Sequence, residues 1–391
     1  MAMSANAGLH RDAARQGEGQ SAHAVAAGNR AAGNRAVEFW LWCVAGLVFA
    51  MIVVGGATRL TDSGLSITEW KPILGAIPPL SETDWLIAFE KYKQIPEYHL
   101  VNKGMALEAF KSIYWWEWGH RFLGRIIGLA VALPLLVFWA TGRLRAGLAP
   151  KLVGVLALGG LQGAIGWYMV SSGLSERVDV SQYRLALHLT TAFTIFAAVI
   201  WLALDEHRAR CPAAGGFASD GVKRLAAALT ALVFAQVILG AFVAGLKAGL
   251  VYNTWPAMDG QWFPSDYWAS NPAYLSFFES HAAAQFNHRL TAYLLFAAAL
   301  AQLWMVVRQP AGDVASDVAS DVASDVASDA VRRTTMILCA AIVVQMTIGI
   351  LTLLAHVPLH LGLLHQGGGA LVLAVAIWHL YAVQRTTSRL G

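Results

Sequence analysis

Four histidines, His120, His188, His288 and His365, carry the chemistry this chain can be read for. Each falls in the first turn or two of an apolar stretch long enough to cross a bilayer, on alternate stretches, so all four share one depth in the outer part of the membrane. Two neutral imidazoles from facing helices can supply both axial ligands of a haem iron and leave no open position. Zinc is the competing metal, but a three- or four-ligand site would have to span both halves of the chain. Glu117 precedes His120 by three residues, which puts an acid or base on the same helix face about one turn away. At the same distance before His288 stands Gln285 (288 − 285 = 3), an amide in place of the carboxylate. That difference suggests chemistry in the N-terminal half and electron handling in the C-terminal one. Arg121, Arg125 and Arg289 lie near the outer helix ends, where they either pair with haem propionates or snorkel to the interface. Gly367, Gly368 and Gly369 after His365 permit close approach of a porphyrin or of a neighbouring helix.

The elements that must position these residues are membrane spans. Of the 391 residues 57% are hydrophobic and 13% charged, about half the charge of an ordinary soluble chain. Eight spans are predicted, at 39–58, 119–140, 151–171, 183–204, 223–245, 285–307, 334–355 and 360–382, giving an all-α integral membrane protein. The net charge of +4 does not suggest nucleic acid as a partner. The distribution of positive charge is more telling. Arg143, Arg145 and Lys151 crowd one short loop; Arg208, Arg210, Lys223 and Arg224 another; Arg308, Arg332 and Arg333 a third. The alternate short loops are poorer, so both termini are expected on the cytoplasmic side.

The chain also looks duplicated. Gly55, Gly64, Leu65 and Trp70 align with Gly240, Gly249, Leu250 and Trp255 (240 − 55 = 185), and Gln162-x-x-Ile165-Gly166 with Gln345-x-x-Ile348-Gly349 (345 − 162 = 183). His120-Arg121 matches His288-Arg289 (288 − 120 = 168), and His188 matches His365 (365 − 188 = 177). Conserved order with drifting offsets predicts two four-helix bundles related by an axis along the membrane normal. The organisation expected is a disordered tail over 1–38, a first bundle over 39–204, an inner linker over 205–222 and a second bundle over 223–382. Within the second bundle, 310–331 reads as a solvated inner loop because D-V-A-S repeats there, and 383–391 is a closing tail.

Other candidates are set aside. His10, His23, His99, His207, His281 and His379 are read as solvated or interfacial. Cys43, Cys211 and Cys339 are far apart, without a C-x-x-C, and read as small apolar fillers. The outer segments G-L-S-I-T-E-W-K-P (64–72) and G-L-V-Y-N-T-W-P (249–256) read as paired lids, one over each haem pocket, or as interfacial anchors.

At this point the motifs resemble a known family. The string G-G-A-T-R-L-T-D-S-G-L-S-I-T-E-W-K-P from Gly55, K-S-I-Y-W-W-E-W-G-H-R from Lys111, Y-N-T-W-P from Tyr252, F-N-H-R from Phe286 and His365-Gln366 are similar to the haem A synthase family. The likeness runs from about 39 to 382 in the family's order. It implies oxidation of the C8 methyl group of haem O to a formyl group by successive hydroxylations, giving haem A for terminal oxidases. It implies haem b as cofactor on His288 and His365, haem O as substrate received by His120 and His188, and Glu117 as the catalytic candidate. It also implies a haem O synthase as partner and a bacterial inner membrane as location, with the mitochondrial inner membrane as alternative; a homo-oligomer is left open. Some members carry a cysteine pair in the first outer loop, but residues 58–118 here contain no cysteine, which marks the cysteine-free branch. Two other readings compete. A di-haem electron-transfer cytochrome would favour haems near both faces, against the single depth here, and a haem transporter or chaperone gives no reason for Glu117 opposite Gln285.

Overall fold

A computed structural model describes residues 33–175, 177–211, 218–308 and 318–385, with side chains from 329 onward in the last stretch. The described residues are helical throughout, apart from loops and one isolated bridge between Met258 and Gln261. Eight helices are long and apolar enough to span a bilayer. We label them α1 (Arg35–Leu60), α2 (Leu107–Ala140), α3 (Leu148–Ser171), α4 (Gln182–Arg210), α5 (Asp220–Gly245), α6 (His281–Val307), α7 (Val318–Leu354) and α8 (Leu359–Gln384).

Their ends follow local chemistry. Asn34 accepts from Ala36 N at 2.9 Å and Ser280 from Ala283 N at 3.2 Å, capping α1 and α6. α2 carries Pro134, which removes one backbone donor. The carbonyl left without it, that of Ala130, is taken by Trp40 Nε1 at 2.7 Å, so the same feature joins α2 to α1.

The helices divide by burial. In the apolar windows of α1, α4, α5 and α8, 33–44% of residues are buried; in α2, α3, α6 and α7 only 11–22% are. The first four pack on one another in the centre. The other four turn side chains such as Leu129, Leu133 and Leu136 outward, the face that lipid covers in a membrane protein.

Several boundaries differ from the sequence reading; α4 runs on to Arg210, through residues expected in the 205–222 linker. α1 begins at Arg35 rather than 39, because Glu38 is tied to His207 (2.7 Å) and Arg210 (2.6 Å) on α4 and so draws the first turn into the fold. α2 begins at Leu107 rather than 119. Its extra turns pack Phe110 and Tyr114 against Trp85, Phe89 and Tyr92 in an apolar lobe outside the spans. From Val318 the D-V-A-S segment continues into α7 as helix rather than loop. The expected tail residues 1–32 and 386–391, linker residues 212–217 and loop residues 309–317 lie outside the described residues.

Two side-chain expectations also fail. His379 is fully buried, not interfacial: Gln302 Nε2 lies 2.9 Å from its Nε2 and Thr334 Oγ1 3.0 Å from its Nδ1. Hydrogen bonding at both nitrogens explains how the ring is accommodated there. Cys43 and Cys211 are exposed, and only Cys339 is partly packed, its Sγ donating to Ala299 O at 3.3 Å.

The lobe outside the spans hides a carboxyl that sequence reading passed over. Glu97 is 4% exposed and accepts from Tyr92 OH at 3.3 Å, while Asn102 Nδ2 donates to the same hydroxyl at 2.7 Å. Burial pushes its carboxyl up to about 8, only partly offset by the Tyr92 hydrogen bond, with the charges of Asp62, Glu117 and Asp179 raising it further. A raised acid keeps its proton in the folded state after the unfolded chain has lost it. Stability is therefore lost as pH rises from the ordinary carboxylate range to about 8. Glu97→Gln, which is neutral at every pH, is expected to raise the thermal midpoint at pH 8 and leave it nearly unchanged at pH 4.5. A midpoint difference that does not depend on pH rules out this account.

Candidate functional site: four histidine–glycine clasps

The four histidines sit on even-numbered helices. His188, His288 and His365 lie 6, 7 and 6 residues into theirs (188 − 182, 288 − 281, 365 − 359), and His120 lies 13 into the longer α2 (120 − 107). Each ring rests on a glycine of the preceding odd helix. A Cβ on Gly55 would come within 3.1 Å of His120 Nε2, and one on Gly166 within 3.0 Å of His188 Cε1. The corresponding distances are 3.1 Å from Gly240 to His288 Cε1 and 2.7 Å from Gly349 to His365 Cε1. Any side chain at these glycines would push the ring away, which gives the repeated glycines a physical reason.

One turn before three of these glycines stands a glutamine. Gln162 Nε2 donates to His188 O at 3.0 Å, Gln236 Nε2 to His288 O at 3.0 Å and Gln345 Nε2 to His365 O at 2.7 Å. The same amide nitrogens lie 3.1–3.3 Å from a nitrogen of the imidazole. Gly367–Gly369 serve this arrangement and helix packing. Gly368 lies against the Gln345 amide, and a Cβ on Gly367 would meet Val53 of α1 at 3.5 Å. Sequence reading noticed Gln162 and Gln345 as repeats but missed Gln236; the Q-x-x-x-G spacing shared by these two is the signal that finds it.

The residues fit a haem iron. The His288 and His365 rings have centroids 6.3 Å apart and planes at 79°. Imidazole nitrogens bind a transition metal at about 2 Å, which places two axial rings with their centres roughly 6 Å apart. His288 Nδ1 is buried without a hydrogen-bond partner, and such an orphan in a native fold calls for a missing ligand. His188 lies within electrostatic reach of His120.

Glu117 is 2% exposed and accepts three hydrogen bonds: from Ser66 Oγ at 2.8 Å, Ile67 N at 2.7 Å and Arg121 Nη2 at 2.5 Å. Arg121 also donates to Ile67 O and Glu69 O, and Arg125 to Lys71 O and Pro72 O. These arginines thus tie the 64–72 segment down on α2. In the second half Arg289 donates to Tyr252 O, Pro256 O and Gln285 Oε1, while Gln285 Nε2 donates to Ala248 O. Glu117 and Gln285 therefore occupy equivalent latches, one carrying a carboxylate and one an amide. Arg125 Nη1 and Arg289 Nε are buried and unpartnered, so each retains a donor for a carboxylate such as a propionate.

The two halves are joined beside this site. Gln366 Nε2 donates to Ile52 O at 2.5 Å, and Arg59 and Lys247 share Asp62 and Asp179 across the lid end at 3.1–3.6 Å.

A family model described as cytochrome oxidase assembly protein matches residues 38–377. The chain is similar to "Heme A synthase" of Parvibaculum lavamentivorans, 48% identical over 354 residues that cover 90% of this chain and 96% of the relative. It is likewise similar to "Heme A synthase" of Mesorhizobium japonicum, 51% identical over 347 residues, 88% of this chain and 90% of the relative. With that of Brucella anthropi it shares 48% identity over 351 residues, 90% of this chain and 93% of the relative.

Proposed function

This chain belongs to the cytochrome oxidase assembly protein family, with heme A synthases as its relatives, and on that footing we propose how its two halves divide the work. It is a multi-pass membrane oxidoreductase of haem biosynthesis, a haem A synthase that oxidises haem O. The reaction turns the C8 methyl group of haem O into a formyl group by successive hydroxylations. The di-haem cytochrome and the haem transporter do not account for this relationship.

In our reading the C-terminal bundle, 223–382, holds haem b between His288 and His365. The 6.3 Å separation of their rings is the observation that carries this. Held there by His288 and His365, haem b would supply a redox centre. The protein's part is to fix the rings: Gly240 and Gly349 seat them, Gln236 and Gln345 hold their helix carbonyls, and Arg289 keeps one donor free for a propionate.

The N-terminal bundle, 39–204, receives haem O between His120 and His188. Arg121 and Arg125 hold the 64–72 lid over it, and Arg125 Nη1 is available to a substrate propionate. Glu117, one turn before His120, is the proton acceptor: Ser66 Oγ and Ile67 N occupy its Oε2, while Arg121 alone occupies Oε1 and leaves that oxygen a lone pair for a proton. The positive-inside pattern supports both termini in the cytoplasm and the lids outside, and the bacterial relatives support an inner membrane. A haem O synthase is the partner that supplies the substrate.

The test is to express the full chain with a source of haem O and analyse extracted haems by chromatography and mass spectrometry. Haem A and its hydroxylated precursor are expected. A folded, haem-loaded preparation yielding neither overturns the reading.

A further inference from the structure

The four clasps are not equal. In three of them the residue one turn ahead of the glycine is a glutamine: Gln162 before Gly166, Gln236 before Gly240, Gln345 before Gly349. In the first clasp that place, ahead of Gly55, is held by Met51 (55 − 4 = 51). The Met51 methyl group lies 3.0 Å from a Cβ built on Gly124, one turn beyond His120, much as the Gln345 amide nitrogen lies 3.6 Å from one built on Gly369, one turn beyond His365. A thioether has no proton to donate, and among the described residues nothing hydrogen-bonds the His120 ring.

A second observation agrees. His188, His288 and His365 each turn the Cε1–Nδ1 edge of the ring to their glycine, whereas His120 turns its Nε2–Cδ2 edge to Gly55. The two arrangements differ by a half-turn of the ring about Cβ–Cγ. Where a glutamine lies beside both the carbonyl and a ring nitrogen, the ring is held on one side. Beside a flexible methionine it is free to make that half-turn.

From these observations we propose that Met51 makes His120 the exchangeable ligand of haem O, while His188, clamped by Gln162, is the fixed one. The proposal rests on the reading that the N-terminal bundle receives the substrate. It gives that reading a physical basis. A resident cofactor needs two clamped ligands, as His288 and His365 are; a substrate that must enter and leave as product needs one that lets go. Unequal holding on the two faces also sets the order of exchange, with His120 releasing first.

Haem transfer to an excess of apomyoglobin tests this. The full-length protein, in lipid nanodiscs and loaded with haem O at the substrate site, is expected to lose haem in a fast phase and a slow one. His120→Ala should abolish the fast phase and His288→Ala the slow one. Met51→Gln should slow the fast phase about fivefold, the equilibrium worth of one ordinary hydrogen bond, with the slow phase untouched. Gln236→Met, the reverse exchange in the other half, should speed the slow phase by a similar factor. Should Met51→Gln keep the slow phase, and hence its fold, but release the fast haem at the wild-type rate, the proposal fails. An unaltered slow phase in Gln236→Met counts against it in the same way and does not depend on the first variant folding. If instead the fast phase disappears in His288→Ala and survives in His120→Ala, it is the assignment of the halves that is wrong.

Discussion

His288→Ala and His365→Ala should each deplete the purified protein of haem b by at least tenfold while leaving its capacity for haem O at the other site. The reason lies in how each ring is held. His288 is half-buried, rests on Gly240, and its helix carbonyl is bound by Gln236; His365 repeats this on Gly349 and Gln345. An alanine removes an axial ligand that no neighbour can replace, since among the described residues no group of three or more metal-ligating side chains comes together. It also opens a void beside the glutamine amide, which keeps the helix carbonyl but loses its ring neighbour. Loss of groups that only orient a ligand typically costs 10–100-fold in metal affinity, so loss of the ligand itself should cost no less. Haemochrome quantification and the low-spin absorption spectrum of the purified variants are the measurements. Normal low-spin spectra in both variants would remove the proposed cofactor site. Depletion in one alone would show that the other ring faces the haem without ligating it.

The contrast between what sequence reading reached and what it missed has a physical origin. Apolar length fixes where a chain can cross a bilayer, so the cores of all eight spans were legible. Their ends were not: α1 starts earlier through Glu38, and α2 runs outward through Phe110 and Tyr114, both because of contacts far away in sequence. The four histidines were legible because a polar ring in an apolar stretch is costly and, repeated at one depth, calls for a reason. Equivalence between Glu117 and Gln285 was visible as spacing, but the latch they form was not, since Ser66 and Ile67 reach Glu117 from about fifty residues away. His379 shows the opposite failure. Its place near a helix end reads as interfacial, yet Gln302 and Thr334 from two other helices enclose it.

Glu117→Ala is expected to keep bound haem and lose product, by a factor of about 10²–10⁴ if the carboxylate moves a proton in the rate-limiting step. By itself this outcome is ambiguous, because Glu117 also latches the lid. Removing it strips the Ile67 amide of its acceptor, leaves the Ser66 hydroxyl to the carbonyls of Ser63 and Ile113, and leaves Arg121 with backbone carbonyls alone. Glu117→Gln separates the two roles, and the second half of the protein indicates why. There Gln285 accepts from Arg289 at 2.7 Å through its Oε1, as Glu117 accepts from Arg121. An amide can therefore accept the arginine, although at Glu117 its Nε2 would meet the Ile67 N–H where Gln285 meets the Ala248 carbonyl, so wild-type haem O binding is the check that the lid still closes. If Glu117 is the proton acceptor, the glutamine variant should bind haem O like the wild type and still fail to make haem A or its hydroxylated precursor, read by chromatography of extracted haems. Near-normal product from Glu117→Gln beside an inactive Glu117→Ala would make the residue a latch and place the proton elsewhere. Haem loss from Glu117→Ala would make it structural, its charge needed to hold the lid rather than to do chemistry. The carboxylate in one half and the amide in the other thus amount to a substitution experiment already present in the chain, and Glu117→Gln asks whether that single exchange is what separates a site that transforms haem from one that only keeps it.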